Sequence, residues 1–355
     1  MIVKNESRAI EKCLASVKPY IDYWVIVDTG STDGTQELIK QALSGIPGEL
    51  YERPWINFEV NRNEALVLAK GKSDYALLID ADEKLELSDK NASLPLTADC
   101  CYAVVRESGA DYHRIFLIDL TLPWYWKGVL HESLMCDSVK TFEVLGGGYL
   151  ISNTADGFRS QDEQKYLKDA RVLEDALKDE PMNARYVFYL GQSYFNAREF
   201  AKAREVFQRR SLMGGWDQEV YWSLYRVAQI DELMGDLTSA EAGFQSAYRV
   251  RKVRAEPIYQ LANLYIQQKK FLAAYALARF GVSMPHCTDQ VFVEHWIYAY
   301  GMREVLAHAA FELGFLEETY SICTQLIAIP ELPEPLKERI EGNLAVIRKM
   351  GIIHK

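Results

Sequence analysis

From Ala184 onward the chain repeats itself, and the repeat constrains the fold more than any other feature. Units begin near Ala184, Tyr221 and Ala255. The first carries Leu190, Gly191, Tyr194, Ala203 and Phe207 at its key positions. The second carries Val227, Ala228, Ala240, Phe244 and Ala247, and the third Leu261, Ala262, Tyr265, Ala274 and Ala278. Spacing near ~34 residues with helical periodicity means one pair of helices per unit. Small residues let paired helices approach, and large ones fill the space between them. One pair cannot bury its apolar face alone, so the units must stack into a right-handed superhelix. A looser fourth unit covers Ala299–Leu326, after an aromatic-rich insert at Phe292–Tyr300. The Tyr and Phe stripe of these units reads mainly as core.

The first half follows a different rule. Met1–Val3 reads as a short strand, with Asn5, Glu6 and Ser7 capping a helix over Arg8–Val17. Tyr23–Asp28 (YWVIVD) is a second apolar strand, and it runs into Thr29–Thr35 (TGSTDGT). Gly30 and Gly34 permit tight turns or close approach of the backbone to a ligand. Ser31, Thr32 and Asp33 are N-cap candidates for a helix over Gln36–Leu43. A third strand, Tyr75–Ile79, ends at Asp80–Ala81–Asp82, followed by Glu83. This βα alternation predicts a parallel, nucleotide-binding α/β sheet, whose ligand crevice lies at the carboxyl ends of the strands. Two acids one residue apart at such an end can hold a divalent cation that grips a diphosphate. About one D-x-D is expected by chance in a chain of this length. This chain has a single one, so its surroundings must decide.

Those surroundings carry a resemblance. The blocks MIVKNES, IDYWVIVDTGSTDGT, PWINFEVNRNEAL and YALLIDADE resemble, in order and spacing, the family-2 glycosyltransferases of GT-A fold, over roughly residues 1–155. The resemblance implies a nucleotide-sugar donor (a UDP-sugar by family habit), a divalent metal, Mn²⁺ or Mg²⁺, and inversion at the anomeric carbon. It assigns Val3, Lys4 and Asn5 to the base pocket and Asp28 to the base and ribose edge. Thr29 stands where relatives often carry a second acid. Asp80 would face the ribose or a metal-bound water, and Asp82 would ligate the metal. Arg62 and Asn63 would face the donor. Glu132 resembles the general base of the family's late His-Glu pair, with His131 at the metal or diphosphate and Arg114 at the diphosphate.

Trp124, Tyr125 and Trp126 form either a sugar platform or an aromatic core patch. Two departures from the family stand out. The first strand is shorter than in relatives, and Asn153–Asp156 replaces a late histidine. Gly146–Gly148 reads as a hairpin or loop rather than a phosphate cradle, because no Lys-Ser/Thr follows.

Periodicity changes across Asn153–Gln164, which predicts two domains, residues 1–155 and 165–355. The helical units resemble tetratricopeptide repeats. The combination resembles bacterial peptide and protein glycosyltransferases, among them the S-glycosyltransferases that modify bacteriocin cysteines, and enzymes that build surface glycans. It implies a peptide, protein or glycan acceptor held by the repeats, which are also the expected route to a homo-oligomer. The competing class is a non-catalytic adaptor with a degenerate transferase head. A nucleotidyltransferase is set aside, since its Gly-rich loop with Arg and Lys is missing.

A formal charge of −10 argues against a nucleic-acid surface, which needs basic patches. No apolar run approaches the ~20 residues of a membrane span, and no signal peptide is visible, so a cytoplasmic protein is expected. Six cysteines without C-x-x-C spacing read as free thiols rather than a zinc site.

Overall fold

Two neighbouring strands of the first half, Trp24–Asp28 and Gly48–Glu52, end in acids that lie opposite each other. The computed structural model describes residues 1–88, 94–107, 110–152, 162–330 and 332–350. It divides into two compact units, Met1–Pro181 and Met182–Lys355. Most of the stretch read as the boundary, 153–161, lies outside the described residues. The helix that follows it is grouped with the first unit.

In the first unit, β1 (Ile2–Val3), β2 (Trp24–Asp28) and β3 (Gly48–Glu52) form a parallel sheet, with Val3 opposite Asp28 and Asp28 opposite Glu52. Helices α1 (Ile10–Val17), α2 (Thr35–Ala42) and α3 (Phe58–Ala69) accompany it. A second sheet holds β4 (Tyr75–Leu77), β5 (Glu83–Leu87), β6 (Cys100–Glu107), β7 (Ala110–Asp119) and β10 (Phe142–Ser152), in the order β4-β7-β6-β10-β5. Between them in sequence, β8 (Tyr125–Lys127) pairs with β9 (Ser133–Met135). The α4 helix, Lys165–Asp179, ends the unit.

Several expectations need correction. Parallel pairing is confined to the first three strands and to β6 with β10, because β4 and β6 both pair antiparallel with β7. Strand β4 stops at Leu77, so the D-A-D tripeptide sits in a turn two residues beyond it. The α1 helix has no side-chain cap; the backbone N–H groups of Asn5, Glu6 and Ser7 bond to the TGSTDGT loop instead. Gly146–Gly148 lies inside β10, where the register against β6 shifts between Val144 and Tyr149. A bulge, not a turn, is what those glycines permit.

The second unit is a row of helices. It runs α5 (Ala184–Asn196), α6 (Phe200–Leu212), α7 (Asp217–Leu233), α8 (Leu237–Val250), α9 (Glu256–Gln267), α10 (Phe271–Val282), α11 (Met302–Glu312), α12 (Leu316–Ile327) and α13 (Glu334–Lys349). A π-helical turn, Ile297–Gly301, leads into α11. Each helix packs on the next, and the first helices of neighbouring pairs touch, α5 with α7 and α9 with α11. Gly191 is small for a reason: a Cβ there would sit 2.7 Å from a ring carbon of Phe207. Tyr194, Phe207, Tyr221, Tyr225 and Phe244 are buried, as the repeat pattern requires. Among the described residues no helix is long and apolar enough to cross a membrane. All six cysteines are free.

Candidate active site

The D-A-D turn is built by alternation. Ala81 is buried and packs with Val3, Ile10, Leu14, Ile26, Ile39 and Leu43, so the acids on either side are turned away from that core. The turn is tied down from α1, where Cys13 Sγ donates to the Asp80 carbonyl at 3.3 Å. Glu83 closes it from the other end, its Oε2 accepting from the Asp80 N–H at 2.9 Å.

Two arginines converge on this turn. Arg62, from the second turn of α3, donates to Asp80 Oδ1 at 2.7 Å. Its Nε lies 2.6 Å from Glu132 Oε1, an ion-pair contact without hydrogen-bond alignment. The guanidinium rests over the Trp126 ring at 4.8 Å. Arg114, from β7, reaches Asp80 Oδ2 at 3.3 Å and Glu83 Oε2 at 2.5 Å. Residues 62, 80, 83, 114 and 132 are far apart in sequence and form one network of charges.

Burial alone would raise the Asp80 carboxyl; Arg62 and Arg114 outweigh it and hold the group at about 2. Glu83 goes the other way, raised by burial and then by the neighbouring Asp80 charge. The signs are opposite. A depressed folded-state value gives stability that is present above the ordinary 3.8 and is lost as pH falls through about 2. A raised value gives stability that is lost as pH rises through it. Asp80→Asn is therefore expected to flatten the loss of stability between pH 3.8 and about 2. Urea unfolding across that interval checks this; an unchanged slope would place the acid sensitivity elsewhere.

The Glu132 loop is positioned from α3. Asn63 uses both ends of its amide on Trp126, donating to the carbonyl at 2.8 Å and accepting from the N–H at 2.7 Å. Asn63 is thus committed to β8. Glu59 Oε2 accepts from the Gly128 N–H at 2.6 Å. Gly128 has φ 119° and His131 φ 51°, so the loop before Glu132 turns twice through the left-handed region. A non-glycine residue held there is strained, and such strain concentrates at functional sites. Sequence reading missed Glu59 and the use made of Asn63. Their i, i+4 spacing on α3 was the only signal.

The other predicted residues form a second cluster. Asp28 is buried, and its Oδ1 accepts from Gly30 N–H and Ser31 N–H, both at 2.8 Å. Its Oδ2 has no hydrogen-bond partner among the described residues. That orphaned oxygen suits an acceptor reserved for a ligand's N–H or O–H. Asn5, at φ 54°, donates its N–H to Ser31 Oγ and accepts from Thr32 N–H, each at 2.8 Å. Asp33 bonds to Ser7 N–H and Thr35; these bonds outweigh its burial and lower the carboxyl to about 2. Most polar side chains of TGSTDGT thus clamp two loops together. Val3 is buried and its carbonyl accepts from Thr29, while Lys4 and His131 are exposed. Trp124 and Trp126 join the core with Leu66 and Ile118, whereas Tyr125 is exposed, so the cluster is mainly core.

Asp82 is half-buried beside the network. Among the described residues no three His, Cys, Asp or Glu side chains converge as a ready-made metal site. The donor set instead fits a cation that arrives with a diphosphate, where one or two carboxylates complete a shell of phosphate and water oxygens. A cavity of about 400 Å³ also opens between β2 and β4, lined by Trp24, Val25, Tyr75 and Leu77. Arg62 and Trp126 border it, but its lining is otherwise largely apolar and unsuited to a diphosphate.

The chain is similar to several known proteins. The Glycosyl transferase family 2 profile matches residues 1–88. A TPR repeat-containing protein of Synechococcus elongatus is 26% identical over 306 residues, covering 80% of this chain and 74% of that protein. The SPbeta prophage-derived glycosyltransferase SunS of Bacillus subtilis is 26% identical over 212 residues, covering 54% of this chain. That match spans 47% of SunS, about half its length. A tetratricopeptide repeat protein from Parabacteroides merdae aligns over 53% of this chain and 69% of its own, at 15% identity and TM-score 0.41.

Proposed function

We propose that the chain, whose residues 1–88 match the Glycosyl transferase family 2 profile, is an inverting glycosyltransferase that moves a sugar from a nucleotide-sugar donor to a peptide, protein or glycan acceptor. The observation that carries this reading is the joining of Arg62, Asp80, Arg114 and Glu132 beside the D-A-D turn. Planar guanidinium groups suit a diphosphate.

The acceptor hydroxyl or thiol gives its proton to Glu132 and attacks the anomeric carbon. The bond from that carbon to the diphosphate oxygen breaks, and the nucleoside diphosphate leaves with the electron pair. Arg62 holds Glu132 in place, and Arg114 faces the diphosphate. Asp82 and His131 would hold Mn²⁺ or Mg²⁺, which as a Lewis acid offsets charge on the leaving diphosphate. Val3, Lys4, Asn5 and the orphaned oxygen of Asp28 would receive the base and ribose, with UDP as the expected nucleotide. Residues 165–355 would hold the acceptor, since stacked helical repeats offer extended binding surfaces.

The test is a panel of nucleotide sugars incubated with the full chain, with and without Mn²⁺, reading release of nucleoside diphosphate. UDP-sugars should be hydrolysed slowly, and chelation should stop the release. A binding-only adaptor is the second reading. It is favoured by the pairing of Asp80, Glu83 and Glu132 with arginines that a donor would otherwise meet. No hydrolysis, together with no calorimetric binding of UDP, would leave that reading standing.

A further inference from the structure

Between α10 and the π-helical turn, the segment 285–294 has no regular structure and lies across the first helices of three successive pairs. It is gripped largely by its main chain. Gln218 Oε1, on α7, accepts from Gln290 N–H at 2.8 Å and Val291 N–H at 3.0 Å. Arg254, just before α9, donates to the carbonyls of Val291 at 2.8 Å and Phe292 at 2.9 Å. Glu256 Oε1, at the start of α9, accepts from Glu294 N–H at 3.1 Å. Side chains reading both N–H and C=O groups of an irregular segment is how a groove binds a peptide.

Val291 and Cys287 are buried and Glu294 Oε2 accepts from the Tyr225 hydroxyl at 2.7 Å, while two further side chains serve as anchors on Arg251 and on an aromatic pair. Asp289 forms a forked pair with Arg251, at 2.6 and 2.5 Å. Phe292 stacks on Phe188 of α5 at 6.2 Å and leans on Trp222 of α7 at 5.1 Å. Yet Phe292 is 45% exposed and sits at φ 43°. An aromatic residue kept in the left-handed region, with nearly half its surface in water, is a strained anchor. The cations beneath have other partners: Arg251 pairs with Asp217 at 2.5 Å, and Arg254 with Glu256 at 2.7 Å. Lifting the segment therefore leaves neither guanidinium without a carboxylate.

We propose that Asp289–Glu294 is a built-in occupant of a peptide-binding groove on the first-helix face, displaceable by a peptide of like chemistry. The chemistry it selects is an acidic residue three positions ahead of an aromatic one. Arg251 takes the acid, the Phe188–Trp222 pair takes the ring, and Gln218 and Arg254 read the backbone between. This proposal stands whether or not the first unit transfers sugar, because it concerns only contacts within the helical unit.

The test uses the full chain and a fluorescein-labelled peptide copying residues 288–295, TDQVFVEH. Anisotropy titration should give weak binding to the wild type and at least about tenfold tighter binding to D289A/F292A, in which both anchors are vacated. The same peptide with alanine at the acid and aromatic positions should not bind. Phe292→Ala alone, which keeps the Asp289 pairs, should give an intermediate gain if the double variant melts without cooperativity. Folded variants that bind no tighter than wild type, or that bind the anchorless peptide equally, overturn the proposal. Loss of cooperative melting in both variants also overturns it, since the segment would then be part of the fold rather than an occupant.

Discussion

Glu132→Gln is expected to lower sugar transfer by about 10²–10⁴-fold, the range a general base contributes. The carboxylate is held by one arginine in a largely buried setting. Its side chain is 10% exposed, Arg62 lies 2.6 Å from Oε1, and that arginine is itself stacked on Trp126. Among the described residues Oε2 takes no ion pair, which leaves it able to receive a proton. Glutamine keeps the size and the contact to Arg62 but accepts no proton. Binding of the nucleoside diphosphate should therefore change little, and calorimetric titration checks that half independently of turnover. Transfer at the wild-type rate would mean that the base lies elsewhere. Glu83 is the next acid in the site, but Arg114 and the Asp80 N–H already occupy one of its oxygens. Asp156, in the stretch that replaces the family's late histidine, lies outside the described residues.

Asp82→Asn should cost at least about 10²-fold in Mn²⁺-dependent turnover, since loss of a direct ligand exceeds the 10–100-fold of an outer-shell change. The reason is charge. Asp80 is paired with two arginines, and Asp82 is the other acid of the D-A-D turn. The fold should be spared, because the packing of the turn is carried by Ala81 in the core and by Cys13 at the Asp80 carbonyl. Chelator-treated protein titrated with Mn²⁺ gives the readout, with thermal melting as the control for folding. A variant that keeps the wild-type Mn²⁺ response and rate would remove Asp82 from the metal's shell.

The elements were legible where periodicity was strong. The strand read at Tyr23–Asp28 is Trp24–Asp28, and the helix read at Gln36–Leu43 is Thr35–Ala42. Two of the three repeat units begin where their spacing placed them, with α5 at Ala184 and α9 at Glu256, while α7 starts at Asp217, ahead of Tyr221. Polar positions were less legible. Asn5, Ser31, Thr32 and Asp33 read as helix caps or ligand contacts, yet they hold two loops to each other. A short polar side chain bonds whichever backbone group comes near, and sequence does not say which loop that will be. Likewise the triple glycine at 146–148 reads as a turn, while its neighbours pair it into β10 as a bulge.

By itself, the sequence determined the order of the two architectures. Alternating apolar strands and helices, then small and large residues at a helical-pair spacing, can each be buried in one way, so local pattern and fold agree. It also marked D-A-D and His-Glu as the acids to watch. Only the tertiary structure decided what those acids meet. Arg62 and Arg114 come from α3 and β7, and neither their spacing nor their neighbours point to Asp80. The same holds for the segment at 285–294, of which only the end from Phe292 reads as part of an aromatic insert, and whose backbone Gln218 and Arg254 grip. Charge pairing and main-chain recognition depend on distances of about 3 Å, and those are set by how distant segments pack, which one-dimensional periodicity does not encode.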